Sequence, residues 1–376
     1  MKLLNLIKEE CKAIFSNSAI ILTIFGGVIF YSFLYPLPYA SQTPQEQKVT
    51  IVNLDHSPLS YQLERMSDAT PEVKVVSRSH SIEEAKQAIF QGDVSGILVI
   101  PKHFYRDLLL GKSPALSYAG DASYFLVYGT IVKGLAKAGG TLSAKVKVLR
   151  LLNNGEPLAL AQKQYEQVKL NMKPVFNPTN GYVNYVVPAV FVIVLQQTLI
   201  MGAGLLGGSQ VNNGYWSKYS ALKIVTIRTV IFTGIYYLLA LYYFGFSFNF
   251  YGINLLASPL DLLLLLAPFL LSSAFIGICL GAIMPRRELV TFVVLVSSMP
   301  LVFSAGFIWP LENIPKGMIW FTNLFPSTPA IQGFLSLNQM GADFSQIINQ
   351  WGLLWLQTVL WGFIAWFSYK RCQAKG

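Results

Sequence analysis

The segment PLDLLLLLAPFLLSSAFIGICLGAIM, residues 259–284, decides the fold of this chain. After Asp261 it carries no charged side chain, and it is longer than the roughly 20 apolar residues that cross a hydrocarbon core as a helix. Backbone amides in lipid must bond within the protein, so a helix is the conformation expected for this segment. The segment therefore indicates an integral membrane protein.

Five other apolar segments flank a long polar stretch. One lies near the N-terminus, and four lie with residues 259–284 in the second half of the chain. The predicted spans are Ser18–Tyr35, Tyr182–Leu206, Lys223–Phe246, Pro259–Met284, Leu289–Trp309 and Trp351–Tyr369. Six segments of this kind predict a multi-pass protein.

The polar stretch, residues 37–181, has the pattern of a small mixed α/β domain. Helix-start signals at Ser57-Pro58 and Ser81-x-x-Glu84, and a helix led by Pro101, alternate with short β-prone runs. Strands are predicted at 49–53, 73–76, 96–100 and 116–118, and a long helical region at 123–170. The predicted fold class is an α-helical integral membrane protein with six transmembrane helices and an inserted mixed α/β extracytoplasmic domain.

Four domains follow from these segments. Residues 1–17 are predicted as a cytoplasmic interfacial amphipathic helix, because Leu3, Ile7 and Ile14 share a face opposite Lys8 and Lys12; a plain basic flank is the alternative. The remaining domains are transmembrane helix 1 at 18–36, the extracytoplasmic α/β domain at 37–181, and a five-helix transmembrane region at 182–376 with a loop at 208–222 and an outer segment at 310–350.

Charge sets the predicted orientation. The chain has a formal net charge of +10, but only 12% of its residues are charged, and the basic ones lie mostly beside the spans. This favours anionic lipid and membrane topology over nucleic acid. Lys and Arg predict that both termini are cytoplasmic and that residues 37–181 lie on the other side of the membrane. The first apolar run is longer than the apolar region of a usual signal peptide, so an uncleaved anchor is favoured over a cleaved signal peptide. Arg228, inside the third span, is expected to snorkel to the cytoplasmic interface.

No constellation for chemistry stands out. The chain has no G-x-x-x-x-G-K-[ST] phosphate loop, and its three cysteines have no metal-ligand spacing. No series of acids or histidines crosses the spans, as a proton-coupled carrier would need. We therefore predict no catalytic, cofactor-binding or metal-binding residue, and no enzymatic activity in this chain.

Small residues align within two predicted spans. Gly277 and Gly281, extended by Ser273, form one small-xxx-small face, and Gly204 and Gly208 form another. Such faces let helices approach closely. Packing within the chain is favoured over a contact between two copies.

Residues 310–350 combine prolines with aromatic side chains. Prolines break a continuous helix, whereas the aromatics favour the membrane interface. Short broken or re-entrant helices on the outer face would satisfy both tendencies. The candidate residues of this re-entrant segment are Pro310, Glu312, Pro315, Pro326 and Pro329.

Four short motifs accompany this order of segments. They are Val52–Ser60 (VNLDHSPLS), Asp68–Pro71 (DATP), Phe325–Ala330 (FPSTPA) and Asn338–Ala342 (NQMGA). Together with the order of the segments, they resemble the membrane subunit, or permease, of bacterial type-2 ABC exporters, in the branch with a large external domain after the first span. The resemblance covers essentially the whole chain and implies a place in the bacterial inner membrane.

This resemblance implies a half-transporter. Two permeases, identical or paralogous, would pair with two cytoplasmic ATPase subunits that bind ATP and Mg. It also implies an interfacial helix at Leu3–Phe15, a coupling helix at Gln210–Ser220 and re-entrant helices at Pro310–Asn338. Many relatives have an acidic coupling segment, whereas residues 210–218 contain no acid. The candidate coupling residues are Tyr215, Trp216 and Lys218, since Trp and Tyr are frequent interface anchors, although the two aromatics fit the lipid headgroup region equally well.

The leading hypothesis is an export permease that forms the path for a lipophilic substrate, a drug or a lipid. Its expected partners are ATPase subunits, a second permease and membrane lipid, with a periplasmic adaptor left open and no nucleic acid. The alternative is a membrane-anchored structural or assembly protein whose external domain binds a partner. Five clustered spans with a re-entrant segment exceed what an anchor needs.

Overall fold

The computed structural model describes residues 2–39, 43–165, 175–177, 181–210 and 218–375. The chain divides into two compact units. The membrane unit comprises residues 1–40 and 175–376, and the inserted unit comprises residues 41–174. The inserted unit is thus slightly shorter than the domain predicted at 37–181.

Six helices of the described chain are long and apolar enough to cross a membrane, which confirms the predicted fold class. A separate N-terminal helix, α1, covers Lys2–Phe15. The six spans, numbered 1 to 6, are Ser18–Tyr39, Val186–Gln210, Ala221–Tyr251, Pro259–Ile283, Arg287–Ser304 and Phe344–Ala374. Spans 1 and 3 contain the π-helical turns Leu22–Gly26 and Tyr242–Ser247. Span 6 begins earlier than the predicted Trp351, because a 3-10 turn at Phe344–Ile347 runs directly into its α-helix.

Spans 2 and 4 form the centre of the membrane unit. Span 4 packs against spans 2 and 6, and span 2 also packs against span 5. Phe191 of span 2 and Phe269 of span 4 are fully buried. By contrast, spans 1, 5 and 6 expose most of their apolar windows. The two central spans therefore have protein neighbours on most sides, whereas the outer spans present apolar faces to their surroundings.

A proline in span 4 is compensated by span 6. Pro268 has no amide hydrogen, so the carbonyl of Leu264, four residues earlier, lacks its usual intrahelical donor. The indole Nε1 of Trp351 donates to that carbonyl at 3.0 Å. The hydroxyl of Thr358 donates to the carbonyl of Pro268 at 3.0 Å. Span 6 thus satisfies backbone groups that lipid could not.

The inserted unit is built on a four-stranded sheet of order β2-β1-β3-β4, as expected for a mixed α/β domain. Strand β1 pairs in parallel with β2 and β3, and β4 pairs antiparallel with β3. The strands are β1 Gln47–Asn53, β2 Val73–Arg78, β3 Gly96–Ile100 and β4 Ser117–Gly120. The helices are α2 Pro58–Asp68, α3 Ile82–Phe90, α4 Phe104–Leu109, α5 Phe125–Asn153 and α6 Leu158–Tyr165.

Two helix starts in this unit differ from the sequence prediction. The helix expected to follow Pro101 begins only at Phe104, because His103 adopts a left-handed conformation with φ of 63°. At the start of α3, Ser81 accepts a hydrogen bond from the Glu84 amide at 3.1 Å, as predicted. The Glu84 carboxylate, however, accepts from the amide of His80 and so closes the turn one residue earlier than a capping box.

The long helix α5 covers the apolar face of the sheet. Ile131 and Leu135 of α5 are buried in one core cluster with Val49 of β1 and Leu98 of β3. Leu63 of α2 belongs to the same cluster. Each unit therefore has its own hydrophobic core.

The VNLDHSPLS stretch forms the turn from β1 into α2. The amide of Asn53 donates to Ser60 Oγ at 3.0 Å and to Glu64 Oε1 at 2.8 Å, and its Oδ1 accepts from the backbone of Asp55 and His56. Ser57 caps α2 by accepting from the Ser60 amide. These polar side chains are used to shape the turn. The stretch therefore serves the fold of the inserted unit.

Candidate functional site

A fully buried ion pair joins α1 to span 3. The guanidinium of Arg228 donates from Nε to Glu10 Oε2 at 2.8 Å and from Nη2 to Glu10 Oε1 at 2.7 Å. Both side chains have no exposed surface. The two parallel bonds form the bidentate geometry that makes arginine–carboxylate pairs strong and directional. This pair fixes the N-terminal helix against the membrane unit.

Two further spans contribute to the same cluster. Arg228 donates to Gln210 Oε1, at the last residue of span 2, and to the hydroxyl of Tyr369 in span 6. Gln210 is 7% exposed and Tyr369 is 1% exposed. The cluster of Glu10, Gln210, Arg228 and Tyr369, which we call the arginine cluster, therefore joins α1 to spans 2, 3 and 6.

The Arg228 side chain does not extend into water, as a snorkelling side chain would. Its guanidinium is buried because Glu10 supplies a counter-charge from α1, so no exposure to water is needed. Glu10 lies between Leu6 and Ile14 at helical spacing, and all three are fully buried. Two sequence features could have indicated this pair. One is the single arginine within the predicted spans, Arg228. The other is Glu10, an acid with the apolar residues Leu6 and Ile14 four positions before and after it.

Most of the apolar face predicted for α1 is not buried against the membrane unit, although Ile14 is. Leu3, Leu4 and Phe15 are each more than half exposed. Since α1 buries its Leu6–Glu10–Ile14 face against the unit, these exposed apolar side chains form a second face. A helix of this kind suits the membrane interface, where one face meets protein and another meets lipid.

The predicted coupling segment, residues 210–220, is anchored near both of its ends. Gln210 joins the arginine cluster at the end of span 2. On the other side, Gln373 of span 6 donates from Nε2 to the carbonyl of Tyr219 at 2.7 Å and accepts from the amide of Ala221 at 3.2 Å. The coupling candidates Tyr215 and Trp216 lie outside the described residues. The third candidate, Lys218, is described and is exposed.

A polar groove of about 410 Å³ lies beside these anchors. It is formed by α1, the end of span 2 and Lys218, which lies three residues before span 3. Its lining residues are Glu9, Lys12, Ala13, Ser16, Ser209, Gln210 and Lys218. Gln210 is thus shared by the groove and the arginine cluster, so an occupant of the groove would touch a residue bonded to Arg228.

The small residues selected from the sequence lie at contacts between spans of the same chain. A Cβ added at Gly277 would lie 2.6 Å from the carbonyl oxygen of Ile200, and one at Gly281 would lie 2.6 Å from that of Gly204. Gly208 lies against Arg287 at the start of span 5. The Ser273 hydroxyl donates to the carbonyl of Phe269 within its own helix. Spans 2 and 4 approach closely through these positions.

The proline-rich segment at residues 310–350 contains two short helices, α7 at Lys316–Thr322 and α8 at Ser327–Asn338. Its prolines lie where a helix tolerates them. Pro315 and Pro326 directly precede the two helices, Pro329 lies in the first turn of α8, and Pro310 precedes a 3-10 turn that contains the exposed Glu312.

The turn between α7 and α8 lies deep along span 6. Gln357 donates to the carbonyl of Asn323 at 2.7 Å, and the Trp361 indole donates to that of Leu324 at 3.0 Å. Gln357 lies about 20 Å along span 6 from Phe344 at 1.5 Å per residue. The other end of α8 is bonded to the loop after span 3 through Asn338. A re-entrant segment needs this geometry, with its irregular backbone covered by protein.

Neither unit offers a metal centre within the described residues. No group of three or more His, Cys, Asp or Glu side chains there could hold a metal ion. Cys279 is buried, and its Sγ lies 3.8 Å from the hydroxyl of Ser368. The arrangement of the described side chains is suited to joining helices rather than to bond-making chemistry.

Comparison with known proteins is consistent with this arrangement. Residues 18–367 match the family described as ABC-2 family transporter protein. The chain is also 24% identical to the "Linearmycin resistance permease protein LnrN" of Bacillus subtilis (strain 168), over 388 residues that cover 94% of this chain and 95% of that protein. The family match extends from the first span into the last. This chain therefore belongs to the ABC-2 family of transporters, as a multi-pass membrane permease.

Proposed function

We propose that this chain is the export permease of an ATP-driven transporter and forms the path for a lipophilic substrate together with a second permease. The observation that carries the proposal is the arginine cluster. It bonds α1 to spans 2, 3 and 6 beside the two anchored flanks of residues 211–217. A force applied at that loop or at α1 is thereby transmitted to three spans at once.

The proposed partners follow from the family. An ABC permease needs an ATPase subunit, which binds ATP and Mg. The groove beside Lys12 and Lys218 and the loop at 211–217 form the surface on which we place that subunit. This assignment puts α1 and both termini in the cytoplasm and the inserted unit outside, in agreement with the Lys and Arg distribution.

The proposed substrate class rests on two observations. The Bacillus subtilis relative is named for resistance to linearmycin, which supports a compound that a cell must remove. The described spans present few charged side chains to a path within the membrane unit, and Arg228 is already engaged. A lipophilic compound crosses such a path at lower cost than an ion.

The deciding experiment reconstitutes the chain with a candidate ABC ATPase subunit from the same organism. We expect the chain alone to hydrolyse no ATP, the complex to do so, and a transported lipophilic compound to stimulate the rate. The ATPase subunit alone is the control for basal hydrolysis. A chain that binds no ATPase subunit and mediates no substrate movement would overturn the proposal.

The docking surface can be tested separately. Replacing Tyr215 and Trp216 together with alanine should weaken ATPase association by about 2 kcal/mol or more, the range of interface hot spots. Replacing Asn212 and Asn213 with alanine in the same loop is the matched control. Unchanged association in the Tyr215/Trp216 variant would move the docking surface to α1 and its groove.

Orientation is tested by labelling. A cysteine at Phe90, an 87% exposed position of the inserted unit, should react with an impermeant thiol reagent from outside intact cells, and one at Lys218 should not. The three natural cysteines are replaced first. Labelling of the Lys218 position in intact cells would reverse the assignment.

A further inference from the structure

Two adjoining cavities open on the inserted unit between α4 and α5. Their volumes are about 430 Å³ and 400 Å³, and both are lined by Leu108, Val146 and Arg150. Since they share these three residues, they form two arms of one groove, which we call the α4–α5 groove. Each arm falls within the roughly 300–1,000 Å³ that holds a drug-sized ligand.

Apolar side chains form much of the lining of the groove, although polar and basic side chains also contribute to both arms. Aliphatic and aromatic side chains from α2, α4 and α5, and from the segment before β4, contribute to it. These residues are Leu59, Phe104, Leu108, Leu109, Leu116, Leu142, Val146 and Leu149. Leu109 and Leu149 are 66% and 49% exposed, so the groove leaves apolar surface in contact with water. Covering that surface with hydrocarbon would be favourable.

The charge of the groove has one sign. Lys112, Lys147 and Arg150 line it, and neither arm is lined by an acidic residue. Lys112 and Arg150 make no ion pair within the part of the chain that the structure describes. Positive groups of this kind next to an apolar floor are complementary to a ligand with a hydrocarbon body and an anionic head.

Gly111, in the turn after α4, leaves room for the guanidinium of Arg150. Gly111 has φ of +75°, and a Cβ at this position would collide with that guanidinium. Arg150 lines both arms, so its exposed guanidinium lies where the two arms meet and remains accessible to a ligand.

We propose that the α4–α5 groove binds a single-chain lipophilic anion, with its carboxylate on Arg150 and Lys112 and its hydrocarbon chain along the apolar arm. The charge complementarity of the lining carries this choice of occupant. The role of such binding in export rests on the proposed function, whereas the binding itself does not require an ATPase subunit or transport.

The test uses the full chain in nanodiscs of zwitterionic phosphatidylcholine. A dansyl-labelled long-chain carboxylate is titrated, and the signal from empty nanodiscs is subtracted. We expect saturable binding that an unlabelled long-chain carboxylate displaces at least tenfold better than the alcohol of equal length. A charged hydrogen bond contributes enough to binding for a factor of about ten.

Four variants define the site. Arg150→Glu should weaken binding by about tenfold or more, and Arg150→Lys should retain part of it. Ser143→Trp fills the first arm from an exposed position of α5 and should abolish saturable binding while the fold is kept. Lys145→Glu is the matched control, because Lys145 is exposed on the same helix but lines neither arm, and its binding should equal that of the wild type.

Three results would overturn the proposal. These are the absence of saturable binding, equal displacement by the alcohol, and wild-type binding in both Arg150→Glu and Ser143→Trp. If phosphatidylglycerol in the nanodisc displaces the probe but the free carboxylate does not, the proposal is also overturned, and the occupant of the groove is a membrane lipid. If the chain binds no probe but supports ATPase-driven transport, only the proposed binding in this groove is overturned. If the chain binds the probe but does not assemble with an ATPase subunit, only the proposed export function is overturned.

Discussion

A buried glutamate pairs with an arginine in both units of this chain, yet the two pairs differ in sequence separation and in access to water. Glu10 and Arg228 are 218 residues apart, and both are fully buried. Glu64 and Arg78 are 14 residues apart, and while Glu64 is 2% exposed, Arg78 is 67% exposed. The same chemistry thus serves long-range joining in the membrane unit and local folding in the inserted unit.

The difference lies in what would compensate the loss of one partner. Water can solvate Arg78 if Glu64 is removed, whereas the Arg228 side chain has no exposed surface at which water could replace Glu10. An unpaired buried charge costs far more than an unpaired exposed one. The membrane-unit pair should therefore control both stability and the connection between helices.

The largest effect is expected for Arg228→Met. This change leaves the Glu10 carboxylate buried without its counter-charge, which costs about 3–5 kcal/mol. For a unit of this size, we expect the thermal midpoint of monodisperse protein in detergent to fall by on the order of 10 °C. Association with the ATPase subunit should fall as well, because α1 loses its bond to span 3.

A paired replacement separates charge from position. Glu10→Met combined with Arg228→Met removes both charges, and apolar replacement of a buried pair is often neutral for stability. We expect this variant to regain most of the lost thermal midpoint but to couple ATP hydrolysis poorly to transport. If it is as unstable as Arg228→Met alone, the loss arises from the missing bonds to Gln210 and Tyr369 rather than from the uncompensated charge.

The same contrast explains what the sequence could predict. Apolar periodicity identified all six spans, and local turn chemistry located the strands and the Ser57 cap, because these features depend on neighbours along the chain. The Glu10–Arg228 pair depends on a tertiary contact between residues 218 apart, so the sequence offered Arg228 without its partner. The α4–α5 groove was missed for the same reason. Lys112 lies before α5, whereas Lys147 and Arg150 lie near its C-terminal end, so these basic residues approach only when α5 packs on the sheet.

An intermediate effect is expected for Glu64→Ala. The change removes the acceptor of Asn53 at 2.8 Å and of Arg78 at 2.7 Å, and Asn53 is 9% exposed. Loss of a buried acceptor of this kind costs about 1–3 kcal/mol. Because the chain has two units, hydrogen exchange of the β1 amides is a better measure than a global melt. Faster exchange should be confined to β1 and α2.

The matched control for that change is Glu83→Ala. Glu83 pairs with Lys86 on the surface of α3, and both side chains are more than half exposed. Surface pairs of this kind contribute about 0–1 kcal/mol, so exchange in β1 should not change. Equal effects of Glu64→Ala and Glu83→Ala would mean that the buried position of Glu64 is energetically irrelevant.

The smallest effect is expected for Arg78→Gln, the exposed partner of the second pair. The hydrogen bond and charge of Glu64 raise the pKa of Arg78, so the stabilisation is fully present below the unfolded-state pKa of the guanidinium and is lost only at strongly alkaline pH. The glutamine amide can replace the guanidinium as a donor to the buried Glu64 carboxylate, which also keeps its bond from Asn53, and water screens the charge that is lost, so we expect a loss of about 1 kcal/mol, without pH dependence near neutrality. The loss should shrink further as salt is raised, since exposed charges are screened by ions. The loss of stability is measured by hydrogen exchange of the β1 amides at low and high ionic strength. A salt-independent loss as large as that of Glu64→Ala would show that this pair is shielded from water, like the pair in the membrane unit.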